Sequence, residues 1–149
     1  MSHARTQIRA AIVSALTGLV TTADRVYSGR ARALAADHLP TLLVYVTEES
    51  LEIESAGHRA VMGRALNLVI EARVVASNAS DVEDDLDQIE QEVEAALMAD
   101  PTLGGLLRSL TLRRARISAV APGENYAGEN RMEFEAIYRT REGAPDIVV

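Results

Sequence analysis

The chain has 149 residues, no cysteine and a formal net charge of −7. This length predicts one domain whose core needs no disulfide or structural metal, and the lack of cysteine excludes disulfides, thiolate metal sites and cysteine nucleophiles. No stretch has the roughly 18 apolar residues of a membrane span, and the N-terminus lacks the apolar core of a signal peptide, so we expect no membrane partner.

Charge is distributed unevenly along the chain. Residues 81–100 contain nine of the 22 acids and no base, so the remainder has a slight excess of positive charge. All fifteen bases are arginine, whose planar side chain suits carboxylate contacts at protein interfaces. The arginines do not form the positive cluster that tracks phosphates, and we expect no sequence-specific nucleic-acid binding.

The first predicted element is an amphipathic helix over residues 3–20 that ends near Gly18. Its apolar positions recur at helical spacing, at Ile8, Ile12, Leu16 and Leu19. A short strand or extended link is predicted over residues 25–29. An irregular segment, 30–40, follows and ends at Pro40.

Two strands are predicted in the middle of the chain. Residues 41–49, "TLLVYVTEE", form a strand that we expect to be buried on both faces. Residues 51–63 connect it to the next strand and are long enough to include a short strand of their own. Residues 64–77 alternate apolar and polar side chains, as a half-buried strand does. The apolar side of that strand consists of Leu66, Leu68, Ile70, Ala72 and Val74.

The stretch "DVEDDLDQIEQEVEAAL", residues 81–97, is predicted to be a second helix. Its apolar residues form one stripe: Val82, Leu86, Ile89, Val93 and Leu97. Ser80 is the predicted N-cap, with Glu83 as its partner in a capping box. Pro101 ends the helix because proline cannot continue it.

The carboxylates of this helix are candidates for a cation site or for a contact with another protein. A calcium loop needs a glycine-containing turn, and a di-metal site on helices needs histidine, but the segment has neither. A solvated face is therefore the favoured interpretation, and a charged contact with a partner is the alternative. The candidate contact residues are Asp84, Asp85, Asp87, Glu90 and Glu94.

Two further strands are predicted over residues 109–120 and 131–141, joined by a loop over 121–130. They should pair antiparallel. The apolar residues of the first strand change parity midway, which predicts a bulge near Arg113–Arg114.

Arginines cluster on the first of these strands. We favour cross-strand pairing of Arg113, Arg114 and Arg116 with Glu133 and Glu135. An arginine contact between subunits is the alternative.

The C-terminal segment is predicted to be separate from the domain. We divide the chain into a single domain, 1–141, and a C-terminal arm, 142–149. The arm ends in three apolar residues, Ile147, Val148 and Val149. These form either a frayed terminus or an arm that adds to a neighbour's sheet or groove. Further candidate contacts are Tyr126 in the loop and Arg139 and Arg141 on the last strand.

No motif predicts catalysis. His3, His38 and His58 are too far apart along the chain for a histidine metal site. The sequence has no nucleophile elbow, no P-loop and no dinucleotide-binding fingerprint. We therefore predict that the protein is not an enzyme and has no catalytic residue, no metal ligand and no cofactor.

The order of elements predicts an α+β fold in two layers, with one mainly antiparallel sheet of four to five strands packed by two amphipathic helices. Several stretches also resemble a known family. "RVYSGR" followed by "LPTLLVYV", and the acidic helix running into "ADPTLGGL", are similar to the tail terminator (minor tail, or tail-completion) proteins of long-tailed bacteriophages and of phage-like gene transfer agents. The resemblance covers nearly the whole chain.

This resemblance implies a subunit that forms a homo-hexameric ring on the tail tube protein, stops tube polymerisation and presents a surface to a head-tail connector or neck protein. It also implies a location in the virion tail, after assembly in the bacterial host cytoplasm. A neck or head-completion protein is the closest alternative. A regulatory α+β domain that binds a small ligand is a more distant one.

Overall fold

Two helices cover one face of a six-stranded sheet in the computed structural model, which describes residues 1–29, 39–121 and 125–149. The helices are α1 (Ala4–Leu16) and α2 (Ala79–Met98). The strands are β1 (Val26–Ser28), β2 (Thr41–Ile53), β3 (Val61–Ala76), β4 (Ser109–Val120), β5 (Tyr126–Arg141) and β6 (Ala144–Val148). The predicted irregular segment 30–40 lies mostly outside the described residues.

The strand order is β1-β2-β3-β5-β4, and β6 also pairs with β5, beyond the start of β4. Among the described strands the β1–β2 pair alone is parallel, and the other pairs are antiparallel. The α+β class, the mainly antiparallel sheet and the two helices were predicted correctly. The predicted number of four to five strands was too low, because β1 and β6 both join the sheet.

The main core lies between the helices and the side of the sheet that we call the helix face. Both helical stripes are buried there, against alternate residues of β2, β3 and β5. The helix α1 packs over β1 and β2, and α2 packs over β3 and β5. The opposite side, which we call the far face, buries Leu43, Tyr45 and Val69 next to Tyr27. The strand 41–49 is therefore buried on both faces over its first five residues, as predicted.

Both helices begin or end at residues other than those predicted. The helix α1 ends at Leu16, because Thr17 is extended and Gly18 has a φ of +92°, which glycine adopts without strain. The helix α2 has Asn78 rather than Ser80 as its N-cap. The side-chain Oδ1 of Asn78 accepts a hydrogen bond from the backbone N–H of Asp81 at 2.9 Å.

Three strands are longer than predicted. The strands β2 and β3 reach Ile53 and Val61, so most of the predicted connection 51–63 is a hairpin. The strand β5 begins at Tyr126, and the second half of the predicted loop 121–130 pairs with β3 and β4. The strand β4 has the predicted bounds, and its register shifts between Leu112 and Arg114, where the bulge was predicted.

Candidate interaction surfaces

The carboxylates of α2 point in three directions, because the helix turns by about 100° per residue. Asp87, Glu90 and Glu94 lie on the side of α2 nearest β4. The carboxylate of Glu90 accepts a hydrogen bond from Asn130 of β5 at 2.8 Å. Asp84 points away from the sheet. These side chains are exposed except for the half-buried Glu90.

The opposite side of α2 faces α1. Asp85 lies on this side, as does Glu92, which accepts hydrogen bonds from the backbone and side chain of Thr21. Burial opposes the ionisation of Glu92, but the hydrogen bonds from Thr21 and Gln88 together outweigh it and lower the pKa of that carboxyl. Glu92 therefore ties α2 to the segment after α1, a role that the sequence pattern did not indicate.

The arginines of β4 lie on the far face. Arg113 contacts Glu135 at 2.9 Å and Arg114 contacts Glu133 at 3.9 Å, which are the cross-strand pairs predicted from the sequence. Both arginine side chains are more than half exposed, so each pair contributes little to stability. Arg116 has no ion-pair partner within the described part of the chain.

The strand β4 is at the edge of the sheet, and its helix-face residues beyond the bulge are uncovered. Ala115, Ile117 and Ala119 stand opposite buried residues of β5 but are exposed themselves, with Ile117 at 52%. The helix α2 does not extend far enough to cover them. The result is an exposed apolar strip next to the acidic side of α2.

The C-terminal residues form a strand on the subunit's own sheet. Val148 stands opposite Thr140 and packs against the main core. Ile147 and Val149 are about half exposed. The side chain of Gln7 on α1 donates a hydrogen bond to the backbone oxygen of Asp146 at 2.8 Å. This bond links α1 to β6.

The remaining candidates lie on β5. Tyr126 is half buried on the helix face and packs against the main core. Arg139 is on the far face and contacts Glu54 at 2.8 Å. Arg141 is exposed at the end of the strand, next to β6. The structure therefore does not bring all predicted contact residues into one surface.

A buried polar cluster around Glu49 was not predicted. Its carboxylate has a side-chain exposure of 3% and contacts Arg64 at 2.8 Å and Arg5 at 3.6 Å. Tyr138 donates its hydroxyl proton to the same carboxylate. Burial and the neighbouring Glu49 raise the pKa of Tyr138 far above its usual value, so this hydroxyl remains a donor. Arg64 also donates to the hydroxyl of Thr140 at 2.8 Å.

No metal-binding group forms among residues 1–29, 39–121 and 125–149, where no three His, Asp or Glu side chains converge. His3 caps α1 and accepts a hydrogen bond from the backbone N–H of Arg5 at 3.1 Å. His58 lies in the β2–β3 turn, and His38 is outside the described residues. None of the described helices has the length and apolarity needed to cross a bilayer.

Comparisons with known proteins give a family match and matches to solved structures. The family model described as phage minor tail protein U matches residues 3–116. A chain in the solved virion of a native gene transfer agent particle is 18% identical, and the match covers 93% of this chain and 92% of that chain with a TM-score of 0.42. No curated protein matches the chain.

Proposed function

The chain belongs to the phage minor tail protein U family, and on this basis we propose that it is a tail terminator subunit. In this role, copies of the chain form a ring, six copies being the expected number, on the end of the tail tube. The ring stops the addition of tube protein and presents its other side to the connector or neck of the head. The family match also agrees with the resemblance found in "RVYSGR", "LPTLLVYV" and "ADPTLGGL".

The observation that carries the ring proposal is the opposite charge of the two helices. The helix α1 has Arg5 and Arg9 and no acid, and it lies over the β1–β2 side of the sheet. The helix α2 has eight acids and no base, and it lies over the β3–β5 side. A subunit with unlike flanks associates head to tail, and such contacts close into a ring when the rotation between neighbours is suitable.

Complementary charge explains how such a ring would assemble in the correct register. Opposite charges speed the encounter of two subunits and disfavour wrong orientations, although they add little to affinity when exposed. The acids of α2 act in this proposal as a recognition surface, without a role in chemistry. We accordingly assign no enzymatic activity and no cofactor to the chain.

Tails assembled without this protein test the proposal. The expected result in electron micrographs is overlong tubes, because nothing ends their polymerisation. Finished tails of normal length that fail to join heads would favour the alternative, a neck or head-completion protein. Tails that are normal in length and attached to heads would refute both. Light scattering of the purified protein gives a second measurement, with a mass of six subunits as the expected result.

A further inference from the structure

The sheet has two open edges that differ in sequence. One is the outer edge of β4, the last strand in the order. The other is the second half of β2, because β1 pairs only with Leu42, Leu43 and Val44. Neither edge has a strand partner within the described residues. Along both edges the described structure thus leaves backbone N–H and C=O groups without a strand partner, and such groups readily pair with another chain.

We propose that β4 of one copy pairs antiparallel with the second half of β2 of the next copy, so that one sheet continues from subunit to subunit. This inference rests on the proposed ring and names its main contact. The occupant of each edge is thus a second copy of this chain. Backbone hydrogen bonds would supply affinity, and side chains on both faces would fix the register.

Charge complementarity between the two edges supports a second copy as the occupant. The strand β4 contains Arg113, Arg114 and Arg116 and no acid. The segment 48–54 contains four glutamates and no base, and two of them, Glu48 and Glu52, have no ion-pair partner among the described residues. Charged side chains on an edge strand ordinarily prevent pairing with other strands. Here two copies of the same edge repel each other because their charges have the same sign. The edge of β4 and the edge of β2 have opposite charges and attract each other.

The faces of the two strands match as well. On the helix face, Leu51 and Ile53 of β2 are 51% and 64% exposed, and Ile117 of β4 is 52% exposed. On the far face, β2 presents Glu52 and β4 presents Arg116. Pairing the edges would therefore bury apolar residues against each other on the helix face and place opposite charges next to each other on the far face.

One register satisfies both faces. With Leu51 opposite Ile117, antiparallel pairing places Glu52 opposite Arg116 and Ser50 opposite Ser118. Neither Glu52 nor Arg116 has an ion-pair partner within the described part of its own subunit. This register therefore pairs two opposite charges that both lack an ion-pair partner in the described part of the isolated subunit.

Strand direction agrees with a ring. The pairs β2–β3, β3–β5 and β5–β4 are all antiparallel, so β2 and β4 run in opposite directions. A rotation about an axis roughly parallel to the strands preserves these directions and sets β4 antiparallel to β2 of the next copy. The same rotation brings the acidic side of α2 towards α1 of that copy, where Arg5 and Arg9 lie.

A pair of introduced cysteines tests the contact, because the chain has no cysteine of its own. In the S50C/S118C variant the two thiols meet only between copies. Ser50 lies in the same row of the sheet as Ser109, three strand spacings or about 14 Å away, and Ser118 is nine residues further along β4. A disulfide needs Cα atoms within about 7 Å, so none forms within one subunit.

The expected result after mild oxidation is a ladder of covalent oligomers, both in purified protein and in assembled tails. A mixture of the single variants S50C and S118C should stop at dimers, because each copy then has one thiol. S50C/S109C is the matched control, with serine-to-cysteine changes at exposed positions of the same two strands, and it should form no covalent oligomers. Absence of the S50C/S118C disulfide in both preparations would overturn the proposed strand pairing.

Two outcomes separate this inference from the proposed function. A ring of six copies whose S50C/S118C thiols stay reduced would leave the ring standing and reject the strand pairing. A covalent ladder, together with normal tails in the absence of the protein, would retain the strand pairing and reject the terminator function. As a second measurement, E52R and R116E should each weaken self-association, and the double variant E52R/R116E should restore it.

Discussion

At the scale of single residues, replacement of Glu49 should lower the stability of the protein substantially. In E49Q the neutral amide leaves the buried guanidinium of Arg64 without its counter-charge. Breaking a buried ion pair from one side costs about 3 kcal/mol or more, which corresponds to a decrease in Tm of roughly 6–12 °C. Thermal unfolding measures this, with E48Q as the control, since Glu48 is exposed and has no ion pair among the described residues. Equal Tm values for the two variants would contradict the prediction.

His3 should make the stability of the protein depend on pH. Burial, followed by the charges of Arg5 and Arg64, lowers the pKa of His3 from its ordinary value of 6.5. The folded chain therefore resists protonation of the imidazole that caps α1. This contribution is complete above about pH 6.5 and is lost as the pH falls through the folded-state pKa.

The substitution H3N isolates this effect, because asparagine caps helices well and does not titrate. We expect the free energy of unfolding of the wild type to decrease more than that of H3N between pH 7.5 and pH 5.5. Urea denaturation at the two pH values measures the difference. Parallel decreases would show that His3 does not contribute.

The sequence pattern assigned most residues to the correct face, but it missed Glu49. Alternation along β2 places Leu42 and Val44 on the helix face, as predicted. A register shift between Val46 and Glu48 then moves Glu49 to the helix face, where strict alternation would leave it outside. A bulge arises from pairing with a distant strand, so local periodicity does not reveal it.

At the scale of elements, the contact between α2 and β5 depends on a glycine. A Cβ on Gly128 would collide with Cγ1 of Val82, and it would come within 3.3 Å of Cδ1 of Leu86. We expect G128A to destabilise the fold by about 1–3 kcal/mol, as overpacking does. G63A is the matched control on β3, because the atoms nearest to its Cβ belong to the flexible side chain of Glu54. Urea denaturation gives both values.

A double variant checks that this clash is the cause. V82A removes the Cγ1 atom, so G128A/V82A should be more stable than the sum of the two single effects predicts. Strict additivity would mean that the glycine matters for another reason, such as backbone freedom.

Strand ends were predicted less well than strand interiors. The residues 126–130 carry glycine and asparagine and resemble a loop, yet they pair with both β3 and β4. Asn130 is fully buried and donates to Glu90 of α2, a contact that only tertiary structure provides. Pairing with two neighbours overrides the low strand propensity of these residues.

At the scale of the whole molecule, the two-layer α+β architecture was predictable because two helical stripes and several alternating strands leave one way to bury their apolar sides. The position of the charged surfaces in the folded molecule was not predictable. The acidic helix and the arginine-bearing strand were both identified, but the sheet order places α2 and β4 on the same flank. The opposing charge of the helical layer therefore comes from α1, with Arg5 and Arg9, and not from β4.

This arrangement predicts which carboxylate of α2 matters for assembly. Asp87 is on the side of α2 that would face α1 of the next copy, whereas Asp84 points away from the sheet. We expect D87N to weaken each contact by about two- to fivefold, the effect of losing an exposed ion pair. D84N removes the same charge from the same helix and should leave the association unchanged. Light scattering over a range of protein concentrations compares the two variants.

The dependence of self-association on salt concentration gives a further comparison of D87N with D84N. If the flanks attract through exposed charge, raising the ionic strength weakens association of the wild type because the ions screen that attraction. D87N has one attractive charge fewer on this flank, so its association should respond less steeply to salt than that of D84N. Identical salt dependence in the two variants would mean that the acidic side of α2 does not face the neighbouring subunit, and the proposed orientation of subunits in the ring would then be wrong.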